Sequence, residues 1–348
     1  MRKKKIIVTA PQVPFVKGGA ELHVEFLIKN LISRGYDAEL VSLPYKWYPE
    51  NTLYDNMLAW RLMDFEESNG EKIDLLIATK FPSYGAIHKN KVTWVIHQFR
   101  QVYDLFDTDM GLRNTESGMR IKSRVERFDN VCLLESKRIF ANSQNVADRL
   151  KKYNNIDSDP LYHPPALAGQ YYCEDYRDYI LSVGRLDKLK RNELLIQSLK
   201  YCDQKIKAKI AGKGPEMEYL VKTAHKHGVQ NRVDFLGYVP DGDLLKLYAN
   251  SFAVFYAPVD EDYGYITLEA FLSRKPVVTC NDSGGVLEFV RHDENGFITD
   301  PNPEAMGALI NELYNNKDKC REFGERGYCA VSYITWDNVI ERLTETIR

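Results

Sequence analysis

The stretch FAVFYAPVDEDYGYITLEAFLSRKPVVTC, residues 252–280, decides the fold of this chain. It begins with the β-rich run 252–257 and ends with a second β-rich run, 276–280. Residues 266–274 between them are predicted to form a helix. Because a helical crossover returns the chain to the same edge of a sheet, the two strands are expected to run parallel. The stretch therefore predicts one unit of a parallel α/β sheet.

The same alternation of strands and helices runs through the rest of the chain. Residues 5–10 form an apolar run typical of a strand buried on both faces. The other predicted strands are 38–43, 74–78, 92–96, 139–142, 179–183, 208–211 and 233–236. The other predicted helices are 21–34, 192–200, 216–227, 242–250, 286–291, 303–315, 319–328 and 336–347.

Residues 157–168 separate two halves of similar size. This stretch, DSDPLYHPPALA, contains three prolines and no hydrophobic periodicity, which is typical of a linker. A chain of 348 residues also corresponds to about two domains at roughly 150 residues each. We therefore predict an α/β protein with two Rossmann-like, doubly wound units, residues 1–165 and residues 166–332.

The composition is that of a globular protein. Hydrophobic residues make up 44% and charged residues 28%, which excludes a disordered or fibrous chain. The formal net charge of −2 argues against binding nucleic acid through overall charge. No window approaches the roughly 18 apolar residues of a membrane span, and the N-terminal apolar run ends at Pro11, too early for a signal peptide. We expect a cytoplasmic protein.

The six cysteines show no arrangement typical of a metal site or a disulfide framework. No C-x-x-C pair occurs, and no histidine lies at zinc-finger spacing. So few cysteines in a chain of this length fit a reducing compartment.

A basic stretch lies in the first half. Two interpretations stay open: a solvated helix face, or contact with an anionic acceptor or with lipid headgroups at the inner face of a membrane. The stretch comprises Arg113, Arg120, Lys122, Arg124 and Arg127.

The candidate ligand-binding residues follow directly after the predicted strands. In open parallel sheets, ligands bind at the carboxyl ends of the strands, so these positions carry the functional information. In the first half they are Gly18, Gly19 and His97. In the second half they are Gly184, Arg185, Lys190, Lys213 and the segment 261–269.

The cations and a predicted helix start suit a phosphate group. Arg185 and Lys190 supply positive charge. Gly264 precedes a helix that opens near Tyr265 and Ile266, and amides at a helix start bind anions.

Two carboxylates suit the hydroxyls of a sugar nucleotide. Glu261 and Glu269 cannot bind phosphate, but they can accept hydrogen bonds from a ribose or a sugar ring. Each feature alone has an ordinary structural explanation, such as a turn or a surface ion pair. Together, after the strands of two α/β units, they indicate a nucleotide-sugar site.

The second half resembles family 4 of the retaining glycosyltransferases, also described as glycosyl transferases group 1. Glu261 and Glu269, separated by seven residues, match that family's paired-glutamate motif. The matching segments are GRLDKLKRNELLI (184–196), IAGKGPE (210–216), residues 233–251 and residues 258–290. Residues 18–37 and 139–150 resemble the family's first half, while residues 45–135 resemble it weakly. The resemblance implies a GT-B fold, in which two Rossmann-like domains face each other across a cleft.

The resemblance also implies roles for the charged residues. Arg185 and Lys190 match the basic pair that holds the donor diphosphate and steadies the leaving group. Glu269 matches the acid that binds the ribose hydroxyls, and Glu261 the acid near the transferred sugar. His97 matches a histidine near the sugar and the acceptor.

The remaining candidates are expected to bind the donor. Gly264, Tyr265 and Ile266 match the backbone that meets the phosphates. Gly18 and Gly19 match a loop of the first domain that closes on the donor. Gly184 and Lys213 are further donor-binding candidates.

The activity implied is transfer of a sugar from a UDP- or GDP-linked donor to a glycan, glycolipid or other hydroxyl acceptor. The family retains the anomeric configuration and needs no metal or other cofactor, and its expected pathway is polysaccharide or glycolipid assembly. Residues 1–165 are then the acceptor side, residues 166–332 bind the donor, and the helix in residues 333–348, from Trp336, crosses back to the first domain.

The sequence departs from the family pattern at a few positions. The usual Glu-Gly-Phe-Gly is here EDYG, residues 261–264. Residues 97–109 are more charged than is usual, so Arg100 and Asp104 are predicted to influence acceptor choice or domain closure.

Two other functions stay open. A sugar-nucleotide epimerase of similar architecture would turn over its substrate without an acceptor. A two-lobed sugar-binding protein would have no catalysis. A dehydrogenase is disfavoured because no G-x-G-x-x-G follows any predicted strand.

Overall fold

A computed structural model describes residues 2–16 and 18–347. It divides the chain into two compact units. The N-terminal unit comprises the residues up to Ala166 together with the segment from Thr335 onward, and the C-terminal unit comprises Leu167–Ile334.

The N-terminal unit is built on a six-stranded parallel sheet. In chain order its elements are β1 (Lys5–Gln12), α1 (Gly19–Ser33), β2 (Asp37–Pro44), α2 (Thr52–Arg61), β3 (Glu67–Ser68), β4 (Glu71–Lys72), β5 (Leu75–Ala78), β6 (Lys91–Val95), α3 (Glu116–Leu134), β7 (Arg138–Ala141), α4 (Gln144–Asn154) and β8 (Asp159–Pro160). The strand order is β2-β1-β5-β6-β7-β8, and β3 and β4 form a separate antiparallel pair.

The C-terminal unit has a second six-stranded parallel sheet. Its elements are β9 (Tyr179–Val183), α5 (Asn192–Ser198), β10 (Lys207–Ala211), α6 (Met217–Lys226), β11 (Val233–Gly237), α7 (Asp241–Asn250), β12 (Ala253–Phe255), α8 (Tyr265–Leu272), β13 (Val277–Cys280), β14 (Gly296–Thr299), α9 (Pro303–Asn315) and α10 (Lys317–Val331). The strand order is β11-β10-β9-β12-β13-β14. The predicted architecture of two Rossmann-like α/β units is thus confirmed.

Apolar strands explain why both sheets are parallel and covered on both faces. The residues of β5 and β6 are all buried, as are those of β12 and β13. Such strands require helices on both faces of the sheet, and only crossover connections supply them. In the N-terminal unit, Leu27 and Leu31 of α1 pack with Ile6 and Val8 of β1 in one apolar core.

The final helix, α11 (Trp336–Leu343), packs within the N-terminal unit. The Trp336 ring meets the Trp94 ring edge-on, with centroids 6.4 Å apart, and Val339 is buried in the same core as β1. Arg34 forms an ion pair with Asp337 at 2.5 Å. Burial of apolar side chains and this ion pair hold the segment in place.

Several elements differ from the sequence-based prediction. Helices α2 and α3 and strand β14 were not predicted, and the predicted linker begins with the edge strand β8, where a proline is tolerated because no neighbour needs its amide. The helix predicted at 286–291 is a short 3₁₀ turn, Gly285–Glu288. The reason is local, because the Asn295 side chain accepts the Arg291 amide at 2.7 Å and donates to the Phe289 carbonyl oxygen at 2.9 Å, in place of helical backbone hydrogen bonds.

Each sheet has one point where the chain changes the direction in which strands are added. In the N-terminal unit this point lies between β1 and β5, and in the C-terminal unit between β9 and β12. Loops leaving two such strands diverge, which opens a crevice outside their carboxyl ends. We refer to these places as the β1/β5 and the β9/β12 switch points.

Candidate functional site

A lysine and a glutamate meet at the β9/β12 switch point. Lys190 ends a short turn after β9, and Glu261 lies in the loop after β12. The Nζ atom of Lys190 donates to Oε2 of Glu261 at 2.5 Å and to the Tyr256 hydroxyl at 3.3 Å. Their side chains are 20% and 25% exposed. Because the pair is open to solvent, its charges can also reach a ligand.

The loop that carries Glu261 leads into α8 through a left-handed glycine. Gly264 has φ 79° and ψ 57°, and a Cβ there would lie 3.0 Å from Val286 Cγ2, so glycine is required. Tyr265 and Ile266 form the start of the helix. The first amides of a helix have no partner within it, so this helix start can accept an anion.

Glu269, one turn into α8, is held by tyrosine hydroxyls rather than by a cation. The Tyr248 hydroxyl donates to Oε2 of Glu269 at 2.6 Å, and the Tyr171 hydroxyl is a second hydrogen-bond partner. Loss of water around the carboxyl raises the pKa of Glu269 to about 7, although both hydrogen bonds oppose the shift. Its oxygens are therefore oriented to accept hydroxyl hydrogens.

The other cations of the C-terminal unit are exposed at the ends of β9 and β10. The Arg185 side chain is 69% exposed, and its nearest carboxylate, that of Asp187, is 3.9 Å away. Lys213 is also exposed, while its carbonyl accepts a hydrogen bond from the Leu186 amide at 3.0 Å. Gly184, between β9 and Arg185, has φ 134°, where a side chain would be strained.

The β1/β5 switch point carries an ion pair of the same kind. Gly18 precedes α1, Gly19 is its first residue, and the Gly18 amide donates to Oε2 of Glu21 at 2.9 Å. Lys80, which follows β5, donates from Nζ to Oε1 of Glu21 at 2.7 Å. Their side chains are only 9% and 13% exposed. Although burial opposes the shift, the Lys80 ammonium lowers the pKa of Glu21.

His97 and its predicted neighbours lie after β6 in the N-terminal unit. Nδ1 of the half-buried His97 lies 3.0 Å from the carbonyl oxygen of Gln98. Arg100 and Asp104 pair with each other, with Nη2 of Arg100 2.6 Å from Oδ2 of Asp104. The structure thus brings these two residues together, and their influence on acceptor choice or closure stays a prediction.

Comparison with known proteins identifies the chemistry of the C-terminal unit. Residues 173–329 match the family described as glycosyl transferases group 1. The chain is a glycosyltransferase, and its C-terminal unit is similar to the group 1 family. The predicted enzyme class is confirmed, and the match covers the β9/β12 switch point, Lys190, Glu261 and α8.

Relatives of this glycosyltransferase cover either the whole chain or about half of it. It is 25% identical to the uncharacterized glycosyltransferase MJ1607 of Methanocaldococcus jannaschii over 97% of this chain and 95% of that protein. It is 27% identical to the GDP-mannose-dependent alpha-(1-6)-phosphatidylinositol monomannoside mannosyltransferase of Mycobacterium tuberculosis, over 56% of this chain and 54% of that protein.

Solved structures show that the glycosyltransferase has the GT-B fold. Sucrose-phosphate synthase of Thermosynechococcus elongatus matches with a TM-score of 0.75 at 15% identity, covering 99% of this chain and 98% of that one. HepE of Anabaena, solved with UDP and glucose, matches with a TM-score of 0.72 at 19% identity, covering 99% of both chains. The predicted fold class is therefore confirmed.

Sequence reasoning missed several side chains that shape the site of the glycosyltransferase. Lys80 could have been found, because it lies two residues after the predicted strand 74–78, just as Arg185 lies two residues after the predicted strand 179–183. Arg191 follows Lys190 directly but was not singled out. Tyr171 and Tyr248 had no signal, because a tyrosine in a loop or on a helix is usually a packing residue.

The basic stretch of the glycosyltransferase divides into paired and unpaired residues along α3 and the loop before it. Arg113 pairs with Asp109, Arg120 with Glu116 and Lys122 with Glu126, at 2.7, 3.0 and 2.7 Å. Arg113 and Arg120 are exposed and fit the interpretation as a solvated face, whereas Lys122 also donates to the carbonyl oxygen of Val102 at 2.6 Å. In contrast, Arg124 lies over the Tyr54 ring, 4.9 Å from its centre, and Arg127 has no carboxylate partner among residues 2–16 and 18–347.

Within the described part of the chain, no group of three or more His, Cys, Asp or Glu side chains could hold a metal ion. No helix of that same part is both long and apolar enough to cross a bilayer.

Proposed function

We propose that this glycosyltransferase moves a sugar, with retention of the anomeric configuration, from a UDP- or GDP-linked donor to a hydroxyl of a glycan, glycolipid or other acceptor. One observation carries the proposal. At the β9/β12 switch point the partly exposed Lys190 meets Glu261, whose loop leads into the start of α8, and Glu269 lies one turn into that helix. A nucleoside-diphosphate sugar needs these three chemical partners.

The donor diphosphate is assigned to the cations and the helix start. Lys190 and Arg185 supply charge, and the amides of Tyr265 and Ile266 supply hydrogen bonds. Negative charge develops on the diphosphate as it leaves, and preorganised donors stabilise that charge without rearranging. We propose that these groups serve in place of a metal ion, so that no cofactor is required.

The hydroxyls of the donor are assigned to the two glutamates. Glu269, oriented by Tyr248 and Tyr171, would accept the ribose hydroxyls, and Glu261 those of the transferred sugar. The Mycobacterium relative is GDP-mannose-dependent and the Anabaena structure holds UDP and glucose, which supports a nucleotide-sugar donor and leaves the base open. Gly184 and Lys213 are assigned to the donor site, while the roles of Gly18, Gly19 and His97 stay predictions.

The proposed retention of the anomeric configuration requires that the acceptor hydroxyl attack from the same face from which the diphosphate departs. The bond between the anomeric carbon and the diphosphate oxygen breaks, and a bond to the acceptor oxygen forms on the same face. The acceptor proton passes to the departing phosphate oxygen, so no side-chain nucleophile is needed. Lys190 would hold that phosphate while its charge develops.

The test is a thermal-shift panel of UDP, GDP, ADP and CMP on the full chain. A ligand at a hundred times its dissociation constant adds about 2.7 kcal/mol of stability. We expect UDP or GDP to raise the melting temperature, and Lys190→Ala with Arg185→Ala to abolish the shift. Failure of all four nucleotides would contradict the proposal, as would an unchanged shift in the double variant.

Transfer is then followed with UDP-glucose and GDP-mannose in the presence of EDTA. The proposal expects nucleotide release that depends on an added acceptor and survives chelation. An epimerised donor sugar formed without acceptor would instead identify an epimerase.

We further propose that the N-terminal unit contacts an anionic membrane surface. A groove between α2 and α3, here termed the α2–α3 face, is lined by Tyr54, Leu58, Arg124, Arg127 and Val131. Leu58 and Val131 are exposed apolar side chains, and the two arginines have no carboxylate partner in the described residues. Apolar side chains beside unneutralised arginines suit the boundary between lipid phosphates and acyl chains.

Vesicle co-sedimentation tests this contact. We expect binding to phosphatidylglycerol-containing vesicles but not to pure phosphatidylcholine, and loss of binding in Arg124→Glu/Arg127→Glu. The matched control is Arg321→Glu/Arg326→Glu, which makes the same charge change on α10 and should leave binding intact. Equal loss in both double variants would show an effect of net charge alone.

A further inference from the structure

Arg191 adopts a backbone conformation that an arginine rarely occupies. It lies between Lys190 and α5 with φ 48° and ψ 40°, in the left-handed region. A Cβ atom disfavours this conformation, whereas glycine adopts it freely. The arginine at this position is therefore explained by its side chain rather than by its backbone.

The Arg191 guanidinium is almost fully engaged in hydrogen bonds. It donates from Nε to the carbonyl oxygen of Ala257 at 2.7 Å and from Nη2 to that of Pro258 at 2.9 Å. Nη1 and Nη2 donate to the two carboxylate oxygens of Asp282 at 2.8 and 2.6 Å. The side chain is 12% exposed. Its charge is thus neutralised by Asp282 and its donors are directed into the protein.

These bonds join three loops that leave neighbouring strands. Arg191 belongs to the loop after β9, Ala257 and Pro258 to the loop after β12, and Asp282 to the loop after β13. The same loops also share backbone hydrogen bonds. These run from the Val259 amide to the Leu189 carbonyl at 2.8 Å, from Asp260 to Asp282 at 2.9 Å, and from Gly285 to Glu261 at 2.7 Å.

The joined loops carry the ion pair of the β9/β12 switch point. Lys190 immediately precedes Arg191, and Glu261 lies three residues after Pro258. The 2.5 Å contact between Lys190 and Glu261 therefore depends on how the loops after β9 and β12 are held together. A planar guanidinium can bind two carbonyls and one carboxylate at once, which a lysine ammonium on a flexible chain cannot do with the same geometry.

We propose that Arg191 is a positioning residue of the donor site. It holds the loops after β9, β12 and β13 together so that Lys190 and Glu261 stand in the geometry that binds the donor, and it does not touch the donor itself. This inference rests on the proposed function, because it assigns Arg191 a role through Lys190.

The test compares Arg191→Gly and Arg191→Lys by nucleotide affinity and donor hydrolysis. The probes are UDP and GDP in titration calorimetry, and UDP-glucose and GDP-mannose for nucleotide release. Glycine keeps the left-handed backbone and removes the guanidinium, so we expect affinity or release to fall about 10- to 100-fold, as for a misplaced catalytic group. Lysine keeps the positive charge but not the planar guanidinium. We therefore expect the affinity and release of Arg191→Lys to lie within about threefold of those of Arg191→Gly.

Arg274 offers a matched control within the same unit. It too is an arginine at positive φ, 53°, and its guanidinium pairs with Glu325 at 2.8 Å, away from the three loops. Arg274→Gly makes the same substitution in the same backbone conformation. We expect affinity and release to stay within about twofold of the wild type. If Arg191→Gly behaved like Arg274→Gly, the positioning role would be refuted.

A triple variant separates positioning from a general loss of structure. In a Lys190→Ala/Glu261→Ala background, Arg191→Gly should reduce affinity and release by less than about twofold, because both groups that it positions are gone. Persistence of the full 10- to 100-fold effect would overturn the inference. An unaffected Lys190→Ala single variant would instead overturn the proposed function, so the two failures are distinguishable.

Discussion

The two switch points of this glycosyltransferase carry the same chemistry in different surroundings. At the β1/β5 switch point, Lys80 and Glu21 pair at 2.7 Å with side chains 9% and 13% exposed. At the β9/β12 switch point, Lys190 and Glu261 pair at 2.5 Å with side chains 20% and 25% exposed. The first pair is withdrawn from solvent, and the second is open to it.

The difference in exposure supports the proposal that the first pair is structural and the second belongs to the donor site. A buried ion pair cannot exchange its partner for a ligand without leaving a charge uncompensated. Lys80 therefore stabilises the start of α1, where Glu21 also accepts the Gly18 amide. Under the proposed function, Lys190 keeps Glu261 as a neighbour and also offers its charge to the donor diphosphate.

A second parallel concerns one carboxyl in each unit that is held by tyrosines. Asp129 of α3 accepts hydrogen bonds from the hydroxyls of Tyr84 and Tyr103, both at 2.7 Å, and is fully buried. Glu269 is held in the same way but is partly exposed. Burial raises the pKa of each to about 7. The motif is shared, but only Glu269 can reach a ligand.

The largest expected effect is on the stability of the N-terminal unit when its ion pair is broken. Lys80→Met leaves the carboxylate of Glu21, 13% exposed, without its cation and with the Gly18 amide as a hydrogen-bond donor, so we expect a loss of about 3 kcal/mol in the free energy of unfolding. Because all four tryptophans, at positions 47, 60, 94 and 336, lie in this unit, tryptophan fluorescence during urea unfolding reports on it selectively.

The control for this prediction removes both charges. Lys80→Met with Glu21→Leu should recover most of the lost stability, since no charge is left without a partner. If Lys80→Met left the urea midpoint of the fluorescence transition unchanged, the ion pair would not stabilise the N-terminal unit.

The next largest effect is on catalysis at the exposed pair. Lys190→Ala should lower donor turnover by about 10²–10³-fold, the usual result of removing one group that stabilises developing charge. Stability should change by less than about 1 kcal/mol, because the pair is partly exposed. Lys188→Ala, two residues earlier and exposed, is the control and should retain turnover. A large stability loss with normal turnover would reverse the assignment of the two pairs.

A smaller effect is expected from pH at Glu269. With its pKa raised to about 7, the carboxyl is largely protonated at pH 6 and largely ionised at pH 8. Only the ionised form accepts hydrogen bonds through both oxygens, so nucleotide affinity should rise by about tenfold over this range. Titration calorimetry with UDP and GDP measures it. Glu269→Gln should bind with an affinity that varies less over that range, because only the titration of the nucleotide phosphate is left, and an identical slope in this variant would contradict the role of Glu269.

The smallest effect is the change in stability that Asp129 causes over a single pH unit, from about pH 5 to about pH 6. Its folded-state pKa of about 7 lies above the ordinary value of 3.8, so between these values the folded protein keeps a proton that the unfolded chain has lost. Stability therefore falls as pH rises through this window, by at most about 1.4 kcal/mol per pH unit. Tryptophan-monitored unfolding of Asp129→Asn should show a shallower fall. A steeper fall in the variant would contradict the shift.

Local sequence patterns predicted much of the fold. Apolar runs such as residues 5–10 and 179–183 became β1 and β9 because a strand buried on both faces has few alternatives. Helix α3 was missed because its charged residues obscured the apolar face formed by Ile121 and Val125. Strand β14 was missed because GFIT is too short and begins with a glycine.

The sequence predicted which loops carry the candidate site residues, but not which side chains contact one another. Lys190 and Glu261 were placed after strands, yet their meeting at 2.5 Å depends on β9 and β12 being neighbours in the sheet. In the sequence, β10 and β11 lie between the end of β9 and the start of β12. Tyr171 reaches Glu269 from the segment that joins the two units. No local pattern encodes such contacts.

The sequence by itself determined the α/β class, the parallel strands and the placing of cations and carboxylates after them, because hydrophobic periodicity and strand-end loops are local properties. Only the tertiary structure decided which strands are neighbours, and with them the two switch points. It buried Lys80 against Glu21, left Lys190 partly exposed, and placed the Arg191 side chain where it bonds to two further loops. These outcomes depend on burial and on side-chain contacts between distant segments, which follow from packing the whole chain.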